Sequence, residues 1–172
     1  MGFAPMHNAA AYSAVEVMDE LIKHAGSSVY FDVTAALHVA CDAEMVHRLV
    51  QMTADVNGQT DCWKRSTLTR AMCMMMVLQH RFYKVTQLSQ MLYHSEGASP
   101  LIMALVCGQY EAAAALIAAG AELTSRNARG LTPKKFIQEN WVPECLQDAL
   151  EGRLESCQRV ALLARGWVEM KF

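Results

Sequence analysis

The 172 residues carry 15 Lys and Arg against 17 Asp and Glu, a formal net charge of −2. That balance excludes a chain built mainly for nucleic acid, which needs a basic footprint. With 53% hydrophobic and 19% charged residues, disorder is excluded too, and the apolar excess calls for a large core, a partner interface or both. The length fits one domain or one short repeat array. The longest apolar runs, Ala112–Ala119 and Met72–Leu78, fall far short of the ~20 residues that a membrane-crossing helix needs. The N-terminus lacks a basic segment followed by an unbroken apolar one, so no secretory signal is expected. The six cysteines, Cys41, Cys62, Cys73, Cys107, Cys145 and Cys157, are scattered through apolar contexts and read as reduced thiols in an intracellular, reducing compartment.

In chain order, one pattern recurs. Ala4-Pro5-Met6-His7-Asn8-Ala9 is echoed by Ala35-Ala36-Leu37-His38-Val39-Ala40, then by Ser66-Thr67-Leu68-Thr69-Arg70-Ala71, Ser99-Pro100-Leu101-Ile102-Met103-Ala104 and Thr132-Pro133. The steps are 31, 31, 33 and 33 residues. Ser or Thr before Pro supplies a helix N-cap, and Pro fits the first turn because its missing N–H has no partner there anyway. Small residues at Ala9, Ala40, Ala71 and Ala104 let two helices approach closely. Leu49 with Val50, and Leu116 with Ile117, give each second helix its apolar stripe. Gly26 and Gly120 suit left-handed C-caps. The second unit has a shortened link at Cys41–Glu44. In the third, the second helix is predicted near Tyr83–Tyr93, after a connection around Gln79–Phe82 and with almost no closing hairpin. Residues 144–165 read as one helix or two, with Leu146, Leu150, Leu154, Cys157 and Ala161 at helical spacing. Val168-Glu169-Met170-Lys171-Phe172 alternates with period two, as a short strand would.

This pattern resembles the ankyrin family, whose repeat of ~33 residues carries a T-P-L-H-x-A core. The fourth unit fits best, from Gly97-Ala98-Ser99-Pro100-Leu101 to Ala119-Gly120-Ala121-Glu122-Leu123. The second closes well with Ala54-Asp55-Val56-Asn57. The resemblance implies an all-α ankyrin-repeat solenoid of helix–turn–helix units with short β-hairpin loops. About five repeats would start near residues 2, 30, 62, 97 and 128 and fill 1–150, and a C-terminal helix with an apolar tail would follow over 151–172. One helix pair cannot bury its faces alone, whereas stacked pairs can. The first unit starts at Met1-Gly2 without a leading hairpin, which predicts a fragment of a longer chain or a first unit covered by a partner.

Little in the chain points to catalysis or to a cofactor. There is no C-x-x-C, no H-E-x-x-H, no phosphate-binding glycine loop and no G-x-S-x-G elbow. His38 and Cys41 lie close but lack the four ligands of structural zinc. The expectation is therefore a non-enzymatic chain with no metal and no cofactor. By the resemblance, His7 and His38 are structural, bonding between neighbouring repeats. Leu49 followed by Asp55-Val56-Asn57 resembles the pattern hydroxylated at asparagine in ankyrin repeats. Those residues also suit a plain turn, so Asn57 is a modification candidate only.

Ankyrin repeats bind other proteins through hairpin tips and the inner-helix face. That carry-over names Phe3, Tyr12, Tyr30, Phe31, Trp63, Arg65, Met74, Arg126, Arg129 and Trp141 as candidate contacts. Trp167 and Phe172 join them as apolar tail residues. Trp63 sits in a polar stretch with no local core to receive an indole, and aromatic and Arg side chains are enriched at interface hot spots. The bland alternative is that each ring folds over its own loop. In the methionine run, Met72, Met75 and Met76 are read as core, while Met74 is a candidate for the groove. The function expected is a protein-binding module or scaffold. One alternative is a structural subunit of a large intracellular assembly, docked through its apolar surface and tail; another is a regulatory segment of a longer enzyme.

Overall fold

A computed structural model describes residues 5–25, 33–60, 67–83 and 85–169. They form eleven α-helices: α1 (Pro5–Ala11), α2 (Val15–Ala25), α3 (Val33–Leu37), α4 (Ala43–Gln51), α5 (Thr67–Phe82), α6 (Gln87–His94), α7 (Pro100–Val106), α8 (Tyr110–Ala118), α9 (Pro133–Glu139), α10 (Glu144–Leu150) and α11 (Glu155–Glu169). The all-α expectation holds for these residues. The loops expected as β-hairpins form no strand among them.

The helix starts follow their capping chemistry. The Ser99 side chain accepts from the Ile102 N–H ahead of Pro100, and Thr132 accepts from the Lys135 N–H ahead of Pro133. Asp42 caps α4 through the Met45 N–H at 2.8 Å. Thr86 and Ser89 form a reciprocal capping box on α6.

The helices pack in sequential pairs. The pairs α1/α2, α3/α4 and α7/α8 each pack internally, α1 packs on α3, and α4 packs directly on α8. The pair α9/α10 continues the stack through α7 and α8. α11 then folds back across α8 and α4. The core runs through these contacts, with Leu37, Met45, Leu49, Leu101, Leu105, Leu116 and Leu146 at most 1% exposed. Ala9, Ala40 and Ala104 are buried as the close-approach reading requires.

The third unit departs from the period. It is expected between the second and fourth units, yet α4 meets α8 without it. Its first helix, α5, is 16 residues long against 7 for α7, and it runs through the Gln79–Phe82 stretch expected as a connection. α5 packs on α6, and α6 packs on α7. Ala71, expected at a close approach, is exposed, and Met75, expected in the core, is 72% exposed. The reason lies in what the unit lacks. Thr69 stands where the resemblance would place a histidine bonding to the next unit, and only the short stretch 95–99 separates α6 from α7. His38 makes the inter-unit contact instead, with Nε2 3.1 Å from the Ala98 carbonyl and Nδ1 2.8 Å from that of Thr34.

At the C-terminus the chain forms two helices, α10 and α11. Their junction is stapled by Asp148, which takes an ion pair from Arg153 and a 2.7 Å hydrogen bond from the Ser156 hydroxyl. Those two partners hold the Asp148 carboxyl below the usual carboxylate range. The strand expected over Val168–Phe172 is not formed where the chain is described, because α11 continues through Val168 to Glu169.

Candidate interaction surface

Three loops, after α4, α6 and α8, are bonded to one another. In the first, the Asn57 side-chain oxygen accepts from the Glu122 N–H at 2.9 Å, and Gln59 Nε2 donates to the Arg126 carbonyl at 3.2 Å. These bonds fasten the loop after α4 to the loop after α8. The middle loop joins both: the Ala128 N–H donates to the Glu96 carbonyl, and Thr60 pairs with Gly97 and Ala98. Buried Asn127 donates from its side chain to the His94 carbonyl, and its oxygen accepts from the Arg129 and Leu131 N–H groups.

Of the candidate contacts, Phe3, Tyr30, Phe31, Trp63, Arg65 and Phe172 lie outside the described residues. Trp167 falls within α11, with its side chain outside the description. Tyr12, just after α1, and Trp141, just after α9, are each 84% exposed. Met74 on α5 is 63% exposed. Arg126 is exposed. Arg129 is exposed but already engaged: its guanidinium lies 4.5 Å from the Tyr93 ring centroid and its Nε donates to the Tyr93 carbonyl. It ties the loop to α6. The structure thus joins Arg126 and Arg129 on one loop and separates them from Tyr12. Asn57, the modification candidate, is committed through its side-chain oxygen to Glu122.

Sequence reasoning found only Met74 of an exposed apolar set on α5. On α5, Met74, Met75, Leu78 and Phe82 are 50–72% exposed, and Tyr83, Val85 and Leu88 extend the set along the connection into α6. The α5 residues recur at helical spacing and form a stripe. Periodicity can find such a stripe, but it cannot tell which side of a helix meets its neighbours. Tyr93, His80 and His94 were missed too. The Tyr93 ring stacks on His80 at 4.4 Å and meets His94 edge-on at 5.0 Å. Burial, then the nearby His80 and Arg129, holds the His94 ring below the usual histidine range.

Elsewhere, α4, α8 and α11 enclose a groove of about 420 Å³, lined mainly by alanine, valine and leucine with His47 and Gln158. Among the described residues, no three His, Cys, Asp or Glu side chains gather as a metal site would require. Burial raises the Cys107 thiol to about 11 and the Cys157 thiol to about 12, so neither is a thiolate near neutrality. No helix of the described residues is long and apolar enough to cross a membrane. No protein-family model matches the chain, and no curated protein matches it.

Proposed function

We propose that this chain is an ankyrin-like repeat protein that acts as a non-enzymatic protein-binding module. The observation that carries the reading is the exposed stripe Met74, Met75, Leu78 and Phe82 on α5. Contiguous apolar surface of this kind on a polar-rimmed fold marks a contact site, and methionine adapts to varied partner shapes. The solenoid reading is supported by the directly stacked pairs, the Ser-Pro and Thr-Pro openings of α7 and α9, and the histidine bridge from His38 to Ala98.

The test is capture from the native source, read by quantitative mass spectrometry, with wild type against Met74→Glu/Leu78→Glu. Val17→Glu, at a 53% exposed position on α2, is the control. Stoichiometric partners lost with the double variant and kept by the control are expected. Partners kept by the double variant would overturn the assignment of the α5 face. A second reading, a subunit docked through its C-terminal helix, is favoured by Leu162 and Leu163, each about 60% exposed on α11. Partners lost with Leu162→Glu/Leu163→Glu instead would select it.

A further inference from the structure

Two stretches of this chain fall into register at seven of 13 positions once an intervening segment is removed. Residues 121–133 read Ala-Glu-Leu-Thr-Ser-Arg-Asn-Ala-Arg-Gly-Leu-Thr-Pro. Residues 54–60 joined to 95–100 read Ala-Asp-Val-Asn-Gly-Gln-Thr-Ser-Glu-Gly-Ala-Ser-Pro. Both have 13 residues, with alanine, acid, aliphatic, glycine, apolar, hydroxyl and proline in register. The backbone agrees. In the continuous loop the Asn127 N–H donates to the Leu131 carbonyl at 3.1 Å and the Gly130 N–H to the Asn127 carbonyl at 2.9 Å. In the interrupted loop the Thr60 N–H donates to the Ala98 carbonyl at 3.0 Å and the Gly97 N–H to the Thr60 carbonyl at 3.0 Å. The two bonds join equivalent positions. Gly130 and Gly97 both hold positive φ, +76° and +65°.

We infer that residues 61–94 are an insertion at the tip of one inter-unit loop, an arm whose second helix covers a binding face on α7. Thr60 and Ser95 are its two roots. The covered face is apolar. α7 reads Pro-Leu-Ile-Met-Ala-Leu-Val with no polar residue, and all seven are buried. Leu101, Ala104 and Leu105 join the core of the stack, while Ala98, Ile102, Met103 and Val106 form a second cluster, against which Met91 of α6 packs on one side and Leu131 and Phe136 on the other. A helix that is apolar all round needs cover on every side. α6 supplies it on the side that Leu131 and Phe136 leave open, and is pinned at both ends, by Gln87 to the Cys107 carbonyl and by Asn127 to the His94 carbonyl. The occupant that this face accepts is therefore a short amphipathic helix antiparallel to α7. A partner reaching it displaces α6 and must bring a helix of the same kind. This refines the proposed binding function by naming a second face and its intramolecular competitor.

The experiment needs no partner protein, so its failure is separate from failure of the capture assay. Thr60 is joined directly to Ser95 in a variant lacking 61–94, and a fluorescent peptide of residues 85–96 is titrated into that variant and into the full chain. Cooperative melting of the variant, with peptide binding at least tenfold tighter than to the full chain, is expected. A folded variant that does not bind the peptide overturns the covered-face assignment. If the variant does not fold, hydrogen exchange of full-length Met91→Asp decides. Exchange at least tenfold faster in α6 and α7, with α4 and α8 unchanged, supports a detachable arm. Equal acceleration in α4 and α8 makes the segment an integral part of the stack and overturns the insertion.

Discussion

Leu116 and Met75 are both apolar residues on helices, and their environments are opposite. Leu116 is 1% exposed between α8 and its neighbours, and Met75 is 72% exposed on α5. Leu116→Ala removes packed atoms and leaves a cavity, so urea unfolding is expected to show a loss of about 2–5 kcal/mol. Met75→Ala is expected to stay within about 0.5 kcal/mol of wild type. The sequence reading placed Met75 in the core of the first helix of the third unit. Only the position of α6 decides which side of α5 is covered. Cysteine reactivity belongs to the same scale. Cys107 and Cys157, with thiols raised to about 11 and 12 by burial, are expected to resist iodoacetamide at pH 8 in the native protein and to react on unfolding. Mass spectrometry of the labelled chain reads this directly, and rapid native labelling of Cys157 would contradict its buried placement.

At the scale of elements, the loops carry the register of the stack. Gly97 and Gly130 occupy equivalent left-handed positions, but a Cβ on Gly97 would lie 3.2 Å from the Ala128 nitrogen while one on Gly130 would meet nothing within 4 Å. Gly130→Ala is therefore expected to lose about 1–2 kcal/mol from the backbone alone, and Gly97→Ala more, since its loop must also shift. Paired thermal melts measure the difference; equal losses would mean that the middle loop yields freely. The contact between α6 and its surroundings carries a pH dependence. The groups facing His94 are His80 and Tyr93 beside it and Arg129 from the loop before α9. Its affinity for a proton is lowered in the folded chain below the ordinary 6.5, so the unfolded segment binds the proton more readily. Stability of this contact is full above pH 6.5 and falls as the pH drops below it. Hydrogen exchange of α6 is expected to accelerate, relative to α8, between pH 7.5 and 5.5 after correction for intrinsic rates. An unchanged ratio would show that protonation of His94 does not loosen the contact.

For the whole molecule, α11 closes the stack. It lies across α8 and α4, and fully buried Cys157 donates to the Cys145 carbonyl of α10. Removing residues 153–172 bares that face. The expected outcome is a loss of at least about 3 kcal/mol in urea, the transfer energy of two aliphatic side chains, with increased binding of an apolar dye. A truncated chain of unchanged stability would make α11 an appendage. Trp141, just after α9, is 84% exposed.

The sequence by itself determined the helix class, the capped starts of α7 and α9 and the alanine close approaches at Ala9, Ala40 and Ala104. These follow from local chemistry, a hydroxyl before proline and a small side chain at a crossing, whereas the bridging role of His38 was implied by the family resemblance alone. It also marked Arg126 and Arg129 as one surface loop, although the engagement of Arg129 with Tyr93 was not legible. Only the tertiary structure decided that the second and fourth units touch and that α5 and α6 do not come between them. The reason is physical. A repeat period records where helices begin along the chain, and α5 begins where the period expects. Which helix becomes the neighbour of α4 depends on competition between non-local apolar faces. The α8 face, with Ala112, Ala113, Leu116 and Ile117 all buried, wins that competition while α5 leaves Met74, Met75 and Leu78 in solvent.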